Sequence, residues 1–111
     1  MTNPQKNKGD QAEREIASLI ADLTGWPVRR KLGAGRKDDA GDLDGIPDCT
    51  AQVKHFADIV RAIREALGDL EQQRVNAGTT HAVAFIRRPG GRWIAVMTLD
   101  QWVVTQREAT A

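Results

Sequence analysis

The stretch Ala40-Gly41-Asp42-Leu43-Asp44-Gly45-Ile46-Pro47-Asp48-Cys49-Thr50-Ala51-Gln52-Val53-Lys54 decides how this chain is read. It reads as two short strands joined by a tight loop, with an acid on the first strand and a Gln-x-Lys on the second. Side chains alternate along a strand, so Gln52 and Lys54 share one face, roughly 6 to 7 Å apart. A hairpin centred near Pro47 puts Asp42 across from Gln52. Opposed side chains then have Cβ atoms about 4.5 to 5.5 Å apart, which suits two ligands of one ion. A second register competes with this one, because Asp44-Gly45 is itself a good two-residue hairpin turn. That turn sets Asp42 opposite Pro47 and leaves Gln52 beyond it, a solvated polar residue like most surface Asp, Gln and Lys.

The whole chain sets the frame for that hairpin. Its 111 residues suffice for one domain, expected over residues 8–111 after a polar, disordered tail at 1–7. A formal net charge of +1 excludes bulk basicity, so any nucleic-acid surface has to come from charge segregation. Positive residues do cluster, in Arg29-Arg30-Lys31 with Arg36-Lys37 and in Arg87-Arg88 with Arg92. The single cysteine, Cys49, makes no internal disulfide, and with two histidines there is no Cys/His set for structural zinc, which points to a reducing cytoplasm. No apolar h-region opens the chain and no apolar run approaches about 18 residues, so a soluble, unprocessed protein without a membrane partner is expected.

Taken in order, Ala12, Ile16, Leu19, Ile20 and Leu23 recur at helical spacing and predict a first helix over Asp10–Leu23. Glu13 falls on the border of its buried face, from which it either looks into a site beside the sheet or closes an Asp10-x-x-Glu13 capping box. Trp26–Leu32 predicts a strand, and Gly33–Asp39 a Gly-rich, mixed-charge loop whose amides and cations suit phosphate. After His55, the apolar positions Phe56, Ile59, Val60, Ile63, Leu67, Leu70 and Val75 mark a long amphipathic helix ending near Gly78, to which no chemistry is assigned. His81–Ile86 and Trp93–Met97 read as strands buried on both faces, joined by an Arg-rich turn. Thr98-Leu99-Asp100-Gln101 reads as a capping box opening a last helix. The resulting class is α/β, in the order α-β-β-β-α-β-β-α.

That order, with a mixed sheet flanked by helices, resembles the restriction-endonuclease-like core of the PD-(D/E)XK nuclease superfamily. Lys8-Gly9-Asp10-Gln11-Ala12-Glu13-Arg14-Glu15-Ile16 is similar to the Lys-Gly-x-x-Ala-Glu-Arg-Glu opening of archaeal-type Holliday junction resolvases. Gly25-Trp26-Pro27-Val28-Arg29-Arg30, the Gly-rich loop, Asp42 and Gln52-Val53-Lys54 continue the likeness, which covers roughly residues 8–56 well and the rest in element order. The resemblance implies a Mg²⁺-dependent endonuclease, with Mn²⁺ as a substitute, acting in DNA recombination and repair on four-way junctions as a cytoplasmic, nucleoid-associated homodimer. It implies catalytic roles for Glu13, Asp42, Gln52 and Lys54, with the metal held by Asp42, Gln52 and the Val53 carbonyl. Arg14 and Arg30 would contact phosphate, with Lys31, Arg36, Lys37 and His55 as further DNA contacts. At position 52 the resolvases carry Glu, whereas Mrr-like restriction endonucleases carry the Gln-x-Lys found here. Gln offers an oxygen without a charge, so metal should be held more weakly. Asp48 completes a literal Pro-Asp, but so close to Gln52 in sequence that Asp42 is the preferred acid. A restriction- or repair-type nuclease and an inactive DNA-binding module are the alternatives. Trp93 and Trp102 are candidates for a dimer interface.

Overall fold

The computed structural model describes residues 4–31 and 39–111. Its elements are α1 (Pro4–Thr24), β1 (Arg29–Arg30), β2 (Leu43–Asp44), β3 (Cys49–Lys54), α2 (Ile59–Ala77), β4 (His81–Arg88), β5 (Arg92–Val96) and α3 (Leu99–Ala109). The class and element order are those expected. The five strands form one sheet in sequence order. Pairing is antiparallel for β1–β2, β2–β3 and β4–β5, and parallel for β3–β4. A parallel pair cannot be joined by a tight turn, and α2 supplies the crossover. Among the described residues no helix is long and apolar enough to cross a membrane.

Alternation along the central strands sorts the two faces. Ala51 and Val53 of β3, with Val83 of β4 and Leu43 of β2, form a core with Ala12, Ile16 and Ala17 of α1. The intervening residues Gln52, Ala82, Ala84 and Ile86 are also buried, on the face that meets the Ala62, Ala66, Leu70 and Gln73 stripe of α2. Asp58 starts α2, its carboxylate accepting the Val60 and Arg61 N–H groups, and Gly78 ends it at φ 72°. Phe56 precedes this helix instead of belonging to it, and its ring takes the Lys54 and Arg61 cations at 5.5 and 5.1 Å.

Further expectations are corrected. The helix α1 begins at Pro4, so residues 4–7 are helical where a tail was expected; proline is preorganised for a first helical turn and its missing N–H costs nothing there. Asp10 therefore lies inside α1 and forms no capping box with Glu13. The strand predicted over Trp26–Leu32 is reduced to Arg29–Arg30 among the described residues, because Val28 N–H turns back to the Trp26 carbonyl at 2.8 Å. Finally, β5 is an edge strand with Ala95 exposed, not a strand buried on both faces. At the start of α3, Thr98 Oγ accepts the Gln101 N–H at 3.2 Å, as expected of a cap. The Gln101 side chain does not close the box; it accepts the Ala82 N–H at 2.9 Å and ties α3 to β4.

Candidate functional site

The hairpin adopts the register centred on Pro47, since Leu43 pairs with Ala51. The competing Asp44-Gly45 turn is not formed. Gly45 instead lies against the chain before β1, where an added Cβ would come 2.2 Å from the Pro27 carbonyl oxygen. One residue beyond the Leu43–Ala51 pair the ladder changes character. The Asp42 N–H donates to the Ala51 carbonyl at 2.7 Å, and Asp42 Oδ2 accepts the Val53 N–H at 2.8 Å. A side-chain oxygen thus takes the place of the next backbone acceptor, and β2 leaves β3 at this point. Gly41 permits the turn: its φ is 96°, and a Cβ there would meet the Ala51 carbonyl oxygen at 2.9 Å.

Gln52 lies beside Asp42 on the α2 face and is 6 % exposed. Its amide sits between acid and base. With Nε2 toward Asp42, that nitrogen is 3.2 Å from Asp42 Oδ2, and Oε1 is 3.3 Å from Lys54 Nζ. With the amide reversed, Oε1 accepts from Gln73 Nε2 at 2.7 Å. Burial is the main influence on Asp42 and pushes its carboxyl up to about 6. The Val53 N–H opposes this, the neighbouring charges of Glu13 and Asp39 add to it, and Lys54 opposes it again. Asp42, Gln52 and Lys54 therefore form one electrostatically coupled patch, with Glu13 near enough to act on it from α1.

The other sequence-predicted residues divide into those at this patch and those spent on the fold. Glu13 Oε2 accepts from Arg30 Nε at 3.0 Å, and Arg30 also reaches Asp10 at 2.8 Å, so this arginine joins β1 to α1. Lys31 donates to the Ala40 carbonyl at 3.0 Å and pairs with Asp44 at 3.4 Å, fixing the strand before the hairpin. Arg14 is exposed and lines an open cleft with Arg29 and Arg30. His55 lies with Gln11, Glu15 and Arg87 around a cleft of about 200 Å³, its Nε2 3.4 Å from Arg87. Arg36 and Lys37 lie outside the described residues. Asp48 is not an opposing acid. It turns away at φ 48°, where its carboxylate accepts the Thr80 N–H and its carbonyl accepts the His81 N–H, starting β4. Trp93 donates to Glu15 at 3.1 Å, whereas Trp102 is 52 % exposed.

Two residues at the patch had no role in the sequence reading. Gln73 of α2 is 2 % exposed and donates to Asp39 Oδ2 at 2.6 Å as well as to Gln52. Asp39 is held in turn, since its Oδ1 accepts the Gly41 N–H and its carbonyl accepts from Asn76 of α2. The signal for Gln73 was present: a glutamine continues the Ala62, Ala66, Leu70 stripe, and a polar residue on a buried stripe needs a partner. For Asp39 there was none, because its contacts span 34 and 37 residues.

Among the described residues no three of His, Cys, Asp and Glu converge on one point. The donors are mixed: the Asp42 carboxylate, the Gln52 amide oxygen and the Val53 carbonyl, which in an extended strand leaves on the same edge as its N–H. All are hard oxygens, and Mg²⁺ is commonly held by one or two carboxylates with water and substrate phosphate. The donor set therefore fits that ion. No family model, curated protein or solved structure matches the chain.

Proposed function

We propose that this chain is a Mg²⁺-dependent DNA endonuclease of PD-(D/E)XK type that cuts branched DNA in the manner of a Holliday junction resolvase. The observation that carries this reading is the convergence of Asp42, Gln52 and Lys54 on one sheet face at the point where β2 leaves β3. A divalent cation bound there supplies Lewis acidity toward a phosphodiester oxygen and makes water more acidic. Asp42 provides the anchoring charge, and Gln52 and the Val53 carbonyl provide neutral oxygens. Lys54 stands beside them on a flexible stem, able to orient water and to offset negative charge developing at phosphorus. Glu13 adds negative potential from α1. Exposed Arg14 and Arg29 line one open cleft and would supply sequence-independent phosphate contacts. Cutting both strands of a junction needs two such sites, which makes the working form a homodimer, and the reducing cytoplasm remains its proposed location.

One observation favours a second reading, an inactive DNA-binding module. With its nitrogen toward Asp42, the Gln52 amide satisfies Asp42 and Lys54 without any cation. Cleavage of a four-way junction beside its linear arms, in Mg²⁺ and in Mn²⁺, tests both readings. A resolvase cuts the junction selectively and loses cleavage in Asp42→Asn. Equal rates on junction and arms leave a restriction- or repair-type nuclease. Binding without cleavage in either metal, with no gain in Gln52→Glu, makes the inactive module the correct reading.

A further inference from the structure

We propose that Gln73 is a positioning residue that turns the Gln52 amide oxygen toward Asp42, and that Asp39 gives Gln73 its direction. The inference rests on the metal site proposed above. A primary amide is nearly symmetric in shape and strongly asymmetric in charge, so its two orientations fit one space and differ only in their partners. In the orientation with nitrogen toward Asp42, the contacts at 3.2 Å to Asp42 and 3.3 Å to Lys54 are both complementary. A metal ligand needs the reverse, which sets oxygen against oxygen at Asp42 and nitrogen against nitrogen at Lys54. The neighbours on β2 and β3 therefore favour the non-ligating orientation. The bias toward the ligating one comes from α2.

Asp39 is a carboxylate and can only accept, so the 2.6 Å contact requires the Gln73 group facing it to be the amide nitrogen. That nitrogen carries two hydrogens. The second points at the Gln52 terminal atom on the Asp42 side, 2.7 Å away, and so asks for an oxygen there. Were Gln52 reversed, its nitrogen would face the Gln73 nitrogen at that same 2.7 Å, with the Gln73 oxygen at 3.0 Å and Asp42 Oδ2 at 3.2 Å as its acceptors. Direction thus passes from Asp39 through Gln73 to Gln52. A cation held by Asp42 and Gln52 would offset the repulsion between their facing oxygens. A neutral ligand at position 52 depends on this relay. A carboxylate would not, because both of its ends are oxygen.

That difference supplies the test. Mn²⁺ binding to the DNA-free protein is titrated by electron paramagnetic resonance in wild type, Gln73→Met, Gln52→Glu and the double variant. Met retains the length of the side chain without its donor. The expected result is that Gln73→Met weakens Mn²⁺ about tenfold beside Gln52, the equivalent of one hydrogen bond, and less than about twofold beside Glu at position 52. Equal losses in both backgrounds would reduce Gln73 to a structural residue and overturn the inference, while leaving the metal site intact. No Mn²⁺ binding by wild type would remove the metal site, and the inference with it. If Gln73→Met does not fold, Asp39→Asn at an exposed position takes its place. Its charge loss weakens binding in both backgrounds alike, so the excess loss beside Gln52 is the supporting result and its absence the opposing one.

Discussion

At the residue scale, Asp42 carries an electrostatic cost that its substitution should reveal. Its carboxyl rises from an ordinary 3.8 to about 6 on folding, so the native chain binds that proton more tightly than the unfolded chain does. Stability linked to Asp42 is therefore fully present below about pH 4, falls as the pH rises through 6, and stays low above it. The difference at neutral pH is on the order of 3 kcal/mol. Asp42→Asn keeps an oxygen for the Val53 N–H and has no charge to desolvate. In chelator, its Tm should exceed that of wild type at pH 7.5 by several degrees, and the two should converge near pH 4. A constant offset across the titration would show that Asp42 ionises normally. Gly45 is a residue of a different kind, required by its φ of 97° and by Pro27. Gly45→Ala should cost about 3 kcal/mol, seen as a lowered urea midpoint with unchanged slope.

At the element scale, β2 and β3 position the site while α2 both covers and directs it. The amphipathic spacing of α2 was legible from its sequence, as was its end at Gly78. Its part in the site was not, because Gln73 meets Asp39 and Gln52 only after α2 has crossed over the sheet. Asp58 stands at the far end of this helix, caps it, and touches neither Gln52 nor Gln73. Asp58→Ala should lower stability by about 1 kcal/mol and leave cleavage at saturating Mg²⁺ unchanged at temperatures well below Tm. A drop in Tm matched by a tenfold loss of activity would mean that the whole helix, and not Gln73 alone, is tuned for the site. The hairpin was only half readable: a period of two residues gave its strands, but the Asp44-Gly45 turn and a loop centred on Pro47 were both open, and the structure shows the register in which Leu43 meets Ala51.

At the scale of the whole molecule, a net charge of +1 leaves the proposed DNA binding to local groups, and several of the arginines and lysines are committed to the fold. Arg30 and Lys31 hold β1 to its neighbours, and Arg87 pairs with Glu15 at 3.1 Å. Few phosphates can then be neutralised, so the slope of log affinity against log salt should be shallow, about −3 to −4. Chelation of divalent metal should abolish cleavage and leave this salt-dependent binding in place, as fluorescence anisotropy with a labelled junction would measure. A slope near −8 would reveal a far larger phosphate surface. The sequence by itself determined the element order and the polar residues Asp42, Gln52 and Lys54 available to the hairpin, because these follow from local periodicity. It left the Pro47-centred register and the Asp44-Gly45 turn both open, and the tertiary structure chose the first. Only the tertiary structure decided which of those residues are free to act. Partners for Arg30, Lys31, Asp48 and Gln73 are brought together by chain crossings, and hydrogen-bond direction across such a crossing has no trace in local sequence. The amide at position 52 shows the division: its presence was plain in Gln52-Val53-Lys54, whereas its orientation depends on a helix that follows and a loop that precedes it.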